Sequence, residues 1–76
     1  MKYGAINIDP EIMGGTPVFT GTRVPIQTLF DYLEGDESIE EFLDDYPSVA
    51  KNQAIEVLEI AKKTVTTEKL LHESFA

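Results

Sequence analysis

Cysteine is absent from the 76-residue chain, and histidine and arginine occur once each, as His72 and Arg23. No disulfide can form, and a metal site built by the protein alone would need carboxylate ligands. A domain of this size buries only about 60% of the surface of its unfolded chain, so it usually relies on a further source of stability. Because disulfides are excluded, we predict that the chain is stabilised as a homodimer.

Long apolar runs are also absent from the sequence. No stretch approaches the roughly 18 apolar residues that a membrane-spanning helix needs. The N-terminus lacks the succession of basic, apolar and small residues that marks a signal peptide. We therefore expect a cytoplasmic protein with no membrane partner.

Basic residues are scarce, and the net charge is −8 at pH 7. General affinity for nucleic acid depends on basic side chains that neutralise phosphates. The excess of acidic over basic residues therefore argues against such affinity. The charge is concentrated, because residues 26–45 hold eight acids and no base while the rest of the chain sums to zero. Glu40, Glu41, Asp44 and Asp45 lie opposite the apolar face of the helix predicted there. This placement favours a solvated acidic surface over a metal or acid–base cluster, and such a surface also suits a basic protein partner.

Glycine and proline, by contrast, concentrate in residues 14–25, GGTPVFTGTRVP. Ile6 and Ile8 alternate with polar positions ahead of an Asp-Pro turn signal, and two short extended runs flank Gly21. We predict that residues 1–25 form a short β-hairpin or arm.

After Pro25 the apolar period changes from 2 to 3.6 residues. Ser38 and Glu41 match a capping box, which marks the start of a helix. We predict a single, mainly α domain in which the arm precedes three helices of about nine, nine and fourteen residues within 26–63, with a tail at 64–76. The three apolar faces are Ile26, Leu29, Phe30 and Leu33, then Ile39, Phe42, Leu43 and Tyr46, then Ala54, Val57, Leu58 and Ala61.

Residue types that carry catalysis are few. His72 has no cysteine, second histidine or nucleophile motif near it in the sequence, so no catalytic triad is indicated. The glycines lack the lysine and the following helix that a phosphate-binding loop requires. We therefore predict no enzymatic activity, no cofactor and no metal.

Arg23 lies in an extended run beside apolar neighbours. Arginine forms planar, bidentate pairs with carboxylates. The favoured interpretation is that Arg23 holds the arm by pairing with Asp9 or Glu11. The alternative is a direct contact with a ligand.

Three short helices in succession, with a tight YPSVAK junction before the third, resemble a helix-turn-helix. The third helix is then the recognition helix. Its N-terminal positions, Ser48, Lys51, Asn52 and Gln53, are residue types that contact phosphates and base edges. This pattern predicts contact with DNA there, and the alternative is a three-helix bundle whose polar residues at this place have no DNA role.

Four motifs run through most of the chain: an Ile-x-x-Asp-Pro start, a Gly-Gly-x-Pro step, a Gly-Thr-Arg-Val-Pro core and a Ser-Ile-Glu-Glu helix that ends in Tyr-Pro. In this combination, over roughly residues 6–63, the chain resembles the bacterial and archaeal domain-of-unknown-function 433 family. Thr16, where lysine is usual, and Ile26, where valine is common, depart from the pattern. The motifs fall on Ile6, Asp9, Pro10, Gly14, Gly15, Pro17, Gly21, Thr22, Arg23, Val24 and Pro25, and on Ser38 to Pro47.

The resemblance implies a homeodomain-like helix-turn-helix behind a small β-element, often as a dimer. It also implies a role in a toxin–antitoxin system like that of the VapB-type antitoxins, which bind operator DNA and accompany a PIN-like toxin nuclease. We expect Asp44 and Asp45, or the tail with Leu70, Leu71 and Phe75, to engage the partner. The alternative for the tail is that it packs on its own dimer. The alternative is an acidic protein-interaction adaptor or structural module with no DNA role, which the net charge favours.

The glycine-rich stretch is then interpreted as a hinge through which two chains pair or exchange strands. Its glycines permit positive φ and close approach of the backbone. Its prolines fix the entry to a short strand and to the first helix. The residues assigned to this dimer arm are Asp9, Gly14, Gly15, Gly21, Arg23 and Pro25.

Overall fold

The computed structural model describes residues 2–67, in which three short strands precede three helices. The strands form one antiparallel sheet in the order β1–β2–β3, and a single 3₁₀ turn at Met13–Gly15 lies between the last two strands. The predicted mainly α class with an N-terminal β-element is confirmed. The elements are β1 (Lys2–Tyr3), β2 (Ile6–Asn7), β3 (Val18–Phe19), α1 (Ile26–Glu34), α2 (Ile39–Asp45) and α3 (Lys51–Thr66).

The β-element is part of the folded body. β1 pairs with β2 around a turn at Gly4 and Ala5, and β2 pairs with β3 so that Ile6 lies opposite Phe19. Ala5 and Phe19 are buried in the same core as the helices. The description of this segment as an arm is therefore corrected, because its strands pair with one another and cover the helices of their own chain.

A tight reversal follows β3, and we call residues 19–24 the tip loop. Phe19 N–H donates to the Val24 carbonyl at 3.0 Å. The Thr22 hydroxyl donates to the Phe19 carbonyl at 2.8 Å and accepts Val24 N–H at 3.0 Å. Of the two extended runs predicted around Gly21, only the first is a strand, because the second pairs with it through a single isolated bridge between Val18 and Pro25.

The predicted positive φ is confirmed at three glycines of this segment. Gly14, Gly15 and Gly21 have φ angles of 65°, 92° and 80°. A side chain with a Cβ is strained in this left-handed region. The predicted close approach does not hold at Gly14 or Gly21, where an added Cβ meets no atom within 4 Å. Backbone conformation, rather than space, requires glycine there.

α1 begins directly after Pro25 and ends in a Schellman motif. Glu37 N–H donates to the Tyr32 carbonyl at 2.9 Å. Gly35 caps the helix with a negative φ of −86°, and the left-handed residue that follows it is Asp36, at 69°. Glycine thus ends this helix as the cap rather than as the left-handed residue.

α2 opens with the predicted capping box. Glu41 N–H donates to Ser38 Oγ at 3.1 Å, and Ser38 N–H donates to Glu41 Oε1 at 3.2 Å. The carboxylates of Glu40 and Glu41 in the first turn also stabilise the helix, because they lie at the positive end of its dipole. Phe42 is fully buried and anchors this short helix in the core.

α3 begins at Lys51 and runs to Thr66, past the predicted end at Lys63. β-branched residues have a lower helix propensity, yet α3 includes residues 64–66. The Thr66 hydroxyl donates to the Lys62 carbonyl at 2.7 Å and the Thr64 hydroxyl donates to the Ile60 carbonyl at 2.9 Å. These side chains bond to the preceding turn and so remain compatible with the helix.

The core joins the β-element to the helices around Phe42. The ring centroid of Phe42 lies 5.8 Å from that of Phe19 and 5.5 Å from that of Tyr32. Offset and edge-on ring pairs at this spacing stabilise a core beyond the area that they bury. The buried cluster contains Ala5, Phe19, Leu29, Phe42, Val49, Ala54 and Val57, so it draws on β-element, helices and the α2–α3 junction alike.

Candidate functional site

The junction between α2 and α3, residues 46–50, positions the first turn of α3. Tyr46 N–H donates to the Phe42 carbonyl at 2.9 Å, and Val49 N–H donates to the Tyr46 carbonyl at 3.0 Å. Val49 is only 4% exposed and packs in the core, whereas its neighbour Ser48 is exposed. The packing of Val49 in the core therefore fixes the junction, and Ser48 within it is accessible to solvent.

The first turn of α3 carries Lys51 and Asn52, both exposed. Ala50 supplies no side-chain cap. The backbone N–H groups of Lys51 and Asn52 find no acceptor among residues 2–67. This end of α3 thus combines unpaired donors, the positive end of the helix dipole and a lysine, an arrangement that favours an anion.

Gln53, the fourth residue predicted to contact DNA, is engaged within the chain. Its Oε1 accepts Ala50 N–H at 2.9 Å, and its Nε2 donates to the Thr20 carbonyl at 3.0 Å. The side chain therefore caps α3 and ties it to the tip loop. One amide hydrogen remains for an external contact.

Glu56 lies one turn further along α3 and binds the other end of the β-element. Its Oε2 accepts Ala5 N–H at 2.7 Å. A Cβ added at Gly4 would collide with this carboxylate, so the hairpin turn fits closely against it. Sequence reasoning missed the docking roles of Gln53 and Glu56, whose only signal is a polar pair at i and i+3 beside the apolar stripe of α3.

An open groove of about 730 Å³ separates the tip loop from the α2–α3 junction, and we call it the Arg23 groove. The polar side chains of Asn7, Arg23 and Ser48 line it and make no hydrogen bond to any other of the described residues. Its apolar walls include Ile12, Val24 and Pro25.

The predicted clamp between Arg23 and Asp9 or Glu11 is wrong. Arg23 is exposed and forms no ion pair with either carboxylate in the part of the chain that the structure describes. Asp9 instead closes its own turn, because its carboxylate accepts Glu11 N–H at 2.9 Å and its carbonyl accepts Ile12 N–H at 2.9 Å. The alternative interpretation, a contact between Arg23 and a ligand, is the one that the geometry leaves open.

All eight acidic side chains of residues 26–45 are exposed, which fits a solvated surface. No three histidine, aspartate or glutamate side chains within residues 2–67 are grouped to hold a metal ion. Asp45 is also engaged, because its Oδ2 accepts the Tyr32 hydroxyl at 2.5 Å. This hydrogen bond, followed by withdrawal from water, raises the pKa of Tyr32 above its ordinary value. Asp45 thus ties α1 to α2, a role that the sequence did not indicate.

Part of the predicted partner surface cannot be placed. Leu70, Leu71, His72 and Phe75 lie outside the described residues. Val65 on the last turn of α3 is 59% exposed. None of the helices described has the length and apolar content needed to cross a membrane.

Comparison with known proteins agrees with the motifs. A curated relative, "Uncharacterized protein y4eO" of Sinorhizobium fredii (strain NBRC 101917 / NGR234), is 39% identical over 44 residues, or 58% of this chain. The chain spans only about 20% of the length of that relative. No solved structure matches the chain. A family model described as "Protein of unknown function (DUF433)" matches residues 6–61, which is most of the sequence, and the chain therefore belongs to this family.

Proposed function

We propose that this chain is a DNA-binding regulator whose recognition surface is the first turn of α3. The observation that carries the proposal is the exposure of Ser48, Lys51 and Asn52 together, next to a junction that the buried Val49 holds in place. In a helix-turn-helix the recognition helix contacts base edges through its N-terminal residues. Lysine suits guanine or phosphate, and asparagine suits adenine.

The net charge of −8 opposes general affinity for DNA, but it does not exclude a specific contact at the first turn of α3. The acids concentrate on α1, α2 and the turn between them, whereas Arg23 and Lys51 lie outside that block. We therefore expect weak affinity for random DNA and a strong dependence on sequence.

The regulator acts as a homodimer in this proposal. Two helix-turn-helix units read two half-sites about one helical turn of DNA apart, which doubles the contacts that a small domain can make. Half-buried and exposed apolar side chains on the later turns of α3, Ile60, Ala61 and Val65, support a second copy as a neighbour. Burial of such side chains also supplies the stability that a domain of this size lacks.

The antitoxin role is a further part of the proposal. The exposed carboxylates of α1 and α2 form a surface of one sign, which suits a basic nuclease of the PIN-like toxin kind. Asp44 is exposed within this surface. Co-expression with a toxin encoded beside the chain's own gene tests it: the chain should restore growth, and an Asp44→Lys variant should restore it less well. Equal growth with and without the chain would remove the antitoxin role while leaving DNA binding in place.

The second candidate is an acidic protein-interaction adaptor in the cytoplasm with no DNA role. The same eight exposed carboxylates favour it. The two candidates differ in which surface is needed, since DNA binding depends on the first turn of α3 and an adaptor depends on α1 and α2.

Binding to the DNA immediately upstream of the chain's own coding sequence tests the leading proposal. We expect saturable binding that a Lys51→Gln, Asn52→Ala double variant weakens at least tenfold, because a charge-assisted contact and a base contact are each worth roughly 1–3 kcal/mol. Lys63→Gln is the matched control, since it removes the same charge from the far end of α3. A wild-type chain that leaves this DNA unbound at low salt would favour the adaptor.

A further inference from the structure

We propose that the Arg23 groove holds a backbone phosphate of the duplex whose bases meet the first turn of α3. Arg23 is the cation of this second contact, which the β-element makes rather than the helices. The inference rests on the proposed DNA-binding function and extends it to a surface outside the helix-turn-helix.

The groove is continuous with the proposed recognition surface. Ser48 lines the groove and precedes Lys51 by three residues. The spacing across the groove is also fixed, because Gln53 of α3 donates to the Thr20 carbonyl of the tip loop at 3.0 Å. A strand of DNA on the first turn of α3 therefore has the groove beside it.

The chemistry of the groove suits a phosphodiester. The Arg23 guanidinium has no partner within residues 2–67, and its planar fork matches two phosphate oxygens. Asn7 and Ser48 add neutral donors of the kind that commonly contact phosphate oxygens. No carboxylate is among the described residues that line the groove, so no acid of the chain competes for the guanidinium there.

An acidic peptide is the rival occupant, and the placement of charge favours DNA. Arg23 shares the groove with Ser48, Lys51 follows Ser48 by three residues in the chain, and a phosphate backbone carries a negative charge at every nucleotide. The same strand can therefore satisfy both. A peptide in the groove would have to carry two acids spaced to meet both Arg23 and Lys51. It would also lack the base contacts that fix the position of a DNA strand.

The test measures affinity for the upstream duplex between roughly 50 and 200 mM salt, with wild type, Arg23→Gln, Arg23→Lys and Lys63→Gln. We expect Arg23→Gln to weaken binding about tenfold and to reduce the slope of log K against log salt by about 0.9, the value of one phosphate contact. Arg23→Lys should keep the slope while losing part of the affinity, because it keeps the charge and loses the fork. Lys63→Gln should match wild type.

The other outcomes distinguish a failure of the Arg23 groove proposal from a failure of the DNA-binding function on which it rests. Wild-type affinity and slope in Arg23→Gln, together with weak binding by Lys51→Gln, would overturn the inference and leave the DNA-binding function standing. No DNA binding by wild type would overturn both. Loss of a protein partner in Arg23→Gln with unchanged DNA binding would assign the groove to a peptide and overturn the inference. Thermal melts of each variant exclude misfolding, which we do not expect at an exposed side chain.

Discussion

The first two turns of α3 and its last two turns share one helix but differ in what holds them. Residues 51–57 contain the buried Ala54 and Val57, and Gln53 and Glu56 bind the backbone of the β-element there. Residues 58–66 contain no buried side chain. The comparison shows that helical periodicity alone does not tell which turns are docked, since both halves carry apolar residues at helical spacing.

The same comparison separates the lysines of α3. Lys51 and Lys63 are about 18 Å apart along the helix axis at 1.5 Å per residue. Lys51 belongs to the docked half beside the Arg23 groove, whereas Lys62 and Lys63 belong to the half without buried side chains. The far end carries two lysines and the start carries one, so stronger DNA binding at the start would come from position, rigidity and the helix dipole rather than from the number of side-chain charges.

The largest expected effect comes from making the same substitution, valine to alanine, once in each half of α3. Val57→Ala should lower the free energy of unfolding by about 2 kcal/mol, because Val57 is 3% exposed and truncation removes buried methyl groups and leaves a cavity. Val65→Ala should change it by less than about 0.5 kcal/mol, because Val65 is already exposed. Urea unfolding of both variants measures the difference, and equal losses would mean that the second half of α3 is docked as firmly as the first.

A smaller effect is expected from the polar contact to the hairpin turn. Glu56→Ala should cost about 1–2 kcal/mol, because it leaves Ala5 N–H without its carboxylate acceptor, with some loss offset by water at this partly exposed site. Glu59→Ala is the matched control on the same helix, and Glu59 is exposed. Similar melting temperatures for the two variants would count against the docking role of Glu56.

Gln53→Ala should cost about 1 kcal/mol, because it removes the reciprocal bond to Ala50 at the start of α3 and the bond to the Thr20 carbonyl. Faster amide exchange in the tip loop should accompany the loss, since the loop is then no longer tied to α3. Asn52→Ala, one residue earlier and exposed, should leave both stability and exchange unchanged. A tip loop that exchanges at the wild-type rate in Gln53→Ala would contradict the account.

The smallest expected effect comes from pH and lies outside α3. The pKa of Tyr32 is raised in the folded chain, so above about pH 10 the unfolded chain releases this proton first, and stability falls as pH rises. Asp45→Asn should reduce that fall, because it removes the carboxylate that accepts the hydroxyl. The stability gap between Val57→Ala and Val65→Ala should stay constant over the same pH range. A gap that closes with pH would mean that Tyr32 and α3 are coupled.

Local chemistry let the sequence predict much of the fold. The capping box at Ser38 and Glu41 and the positive φ of Gly21 depend on neighbouring residues, and both were predicted. The helices after Pro25 followed from apolar spacing, although α3 continues past the predicted end at Lys63 to Thr66.

The contacts that build the candidate site were not predictable in the same way. Gln53 and Thr20 are 33 residues apart, and Glu56 and Ala5 are 51 apart, so no local pattern joins them. The prediction for Arg23 failed for the opposite reason. Asp9 was predicted to pair with the distant Arg23, but its carboxylate accepts Glu11 N–H only two residues away. Exposure of Ser48 and Lys51 was expected from residue type, whereas the groove beside them depends on how the tip loop folds back.

Mapping of backbone amide shifts on the isotope-labelled chain, titrated with the upstream duplex at low salt, tests the central claim most directly. The account predicts shifts at residues 21–24 and 48–53 and little change at residues 58–66. Shifts confined to the acidic residues of α1 and α2, or to the second half of α3, would contradict it.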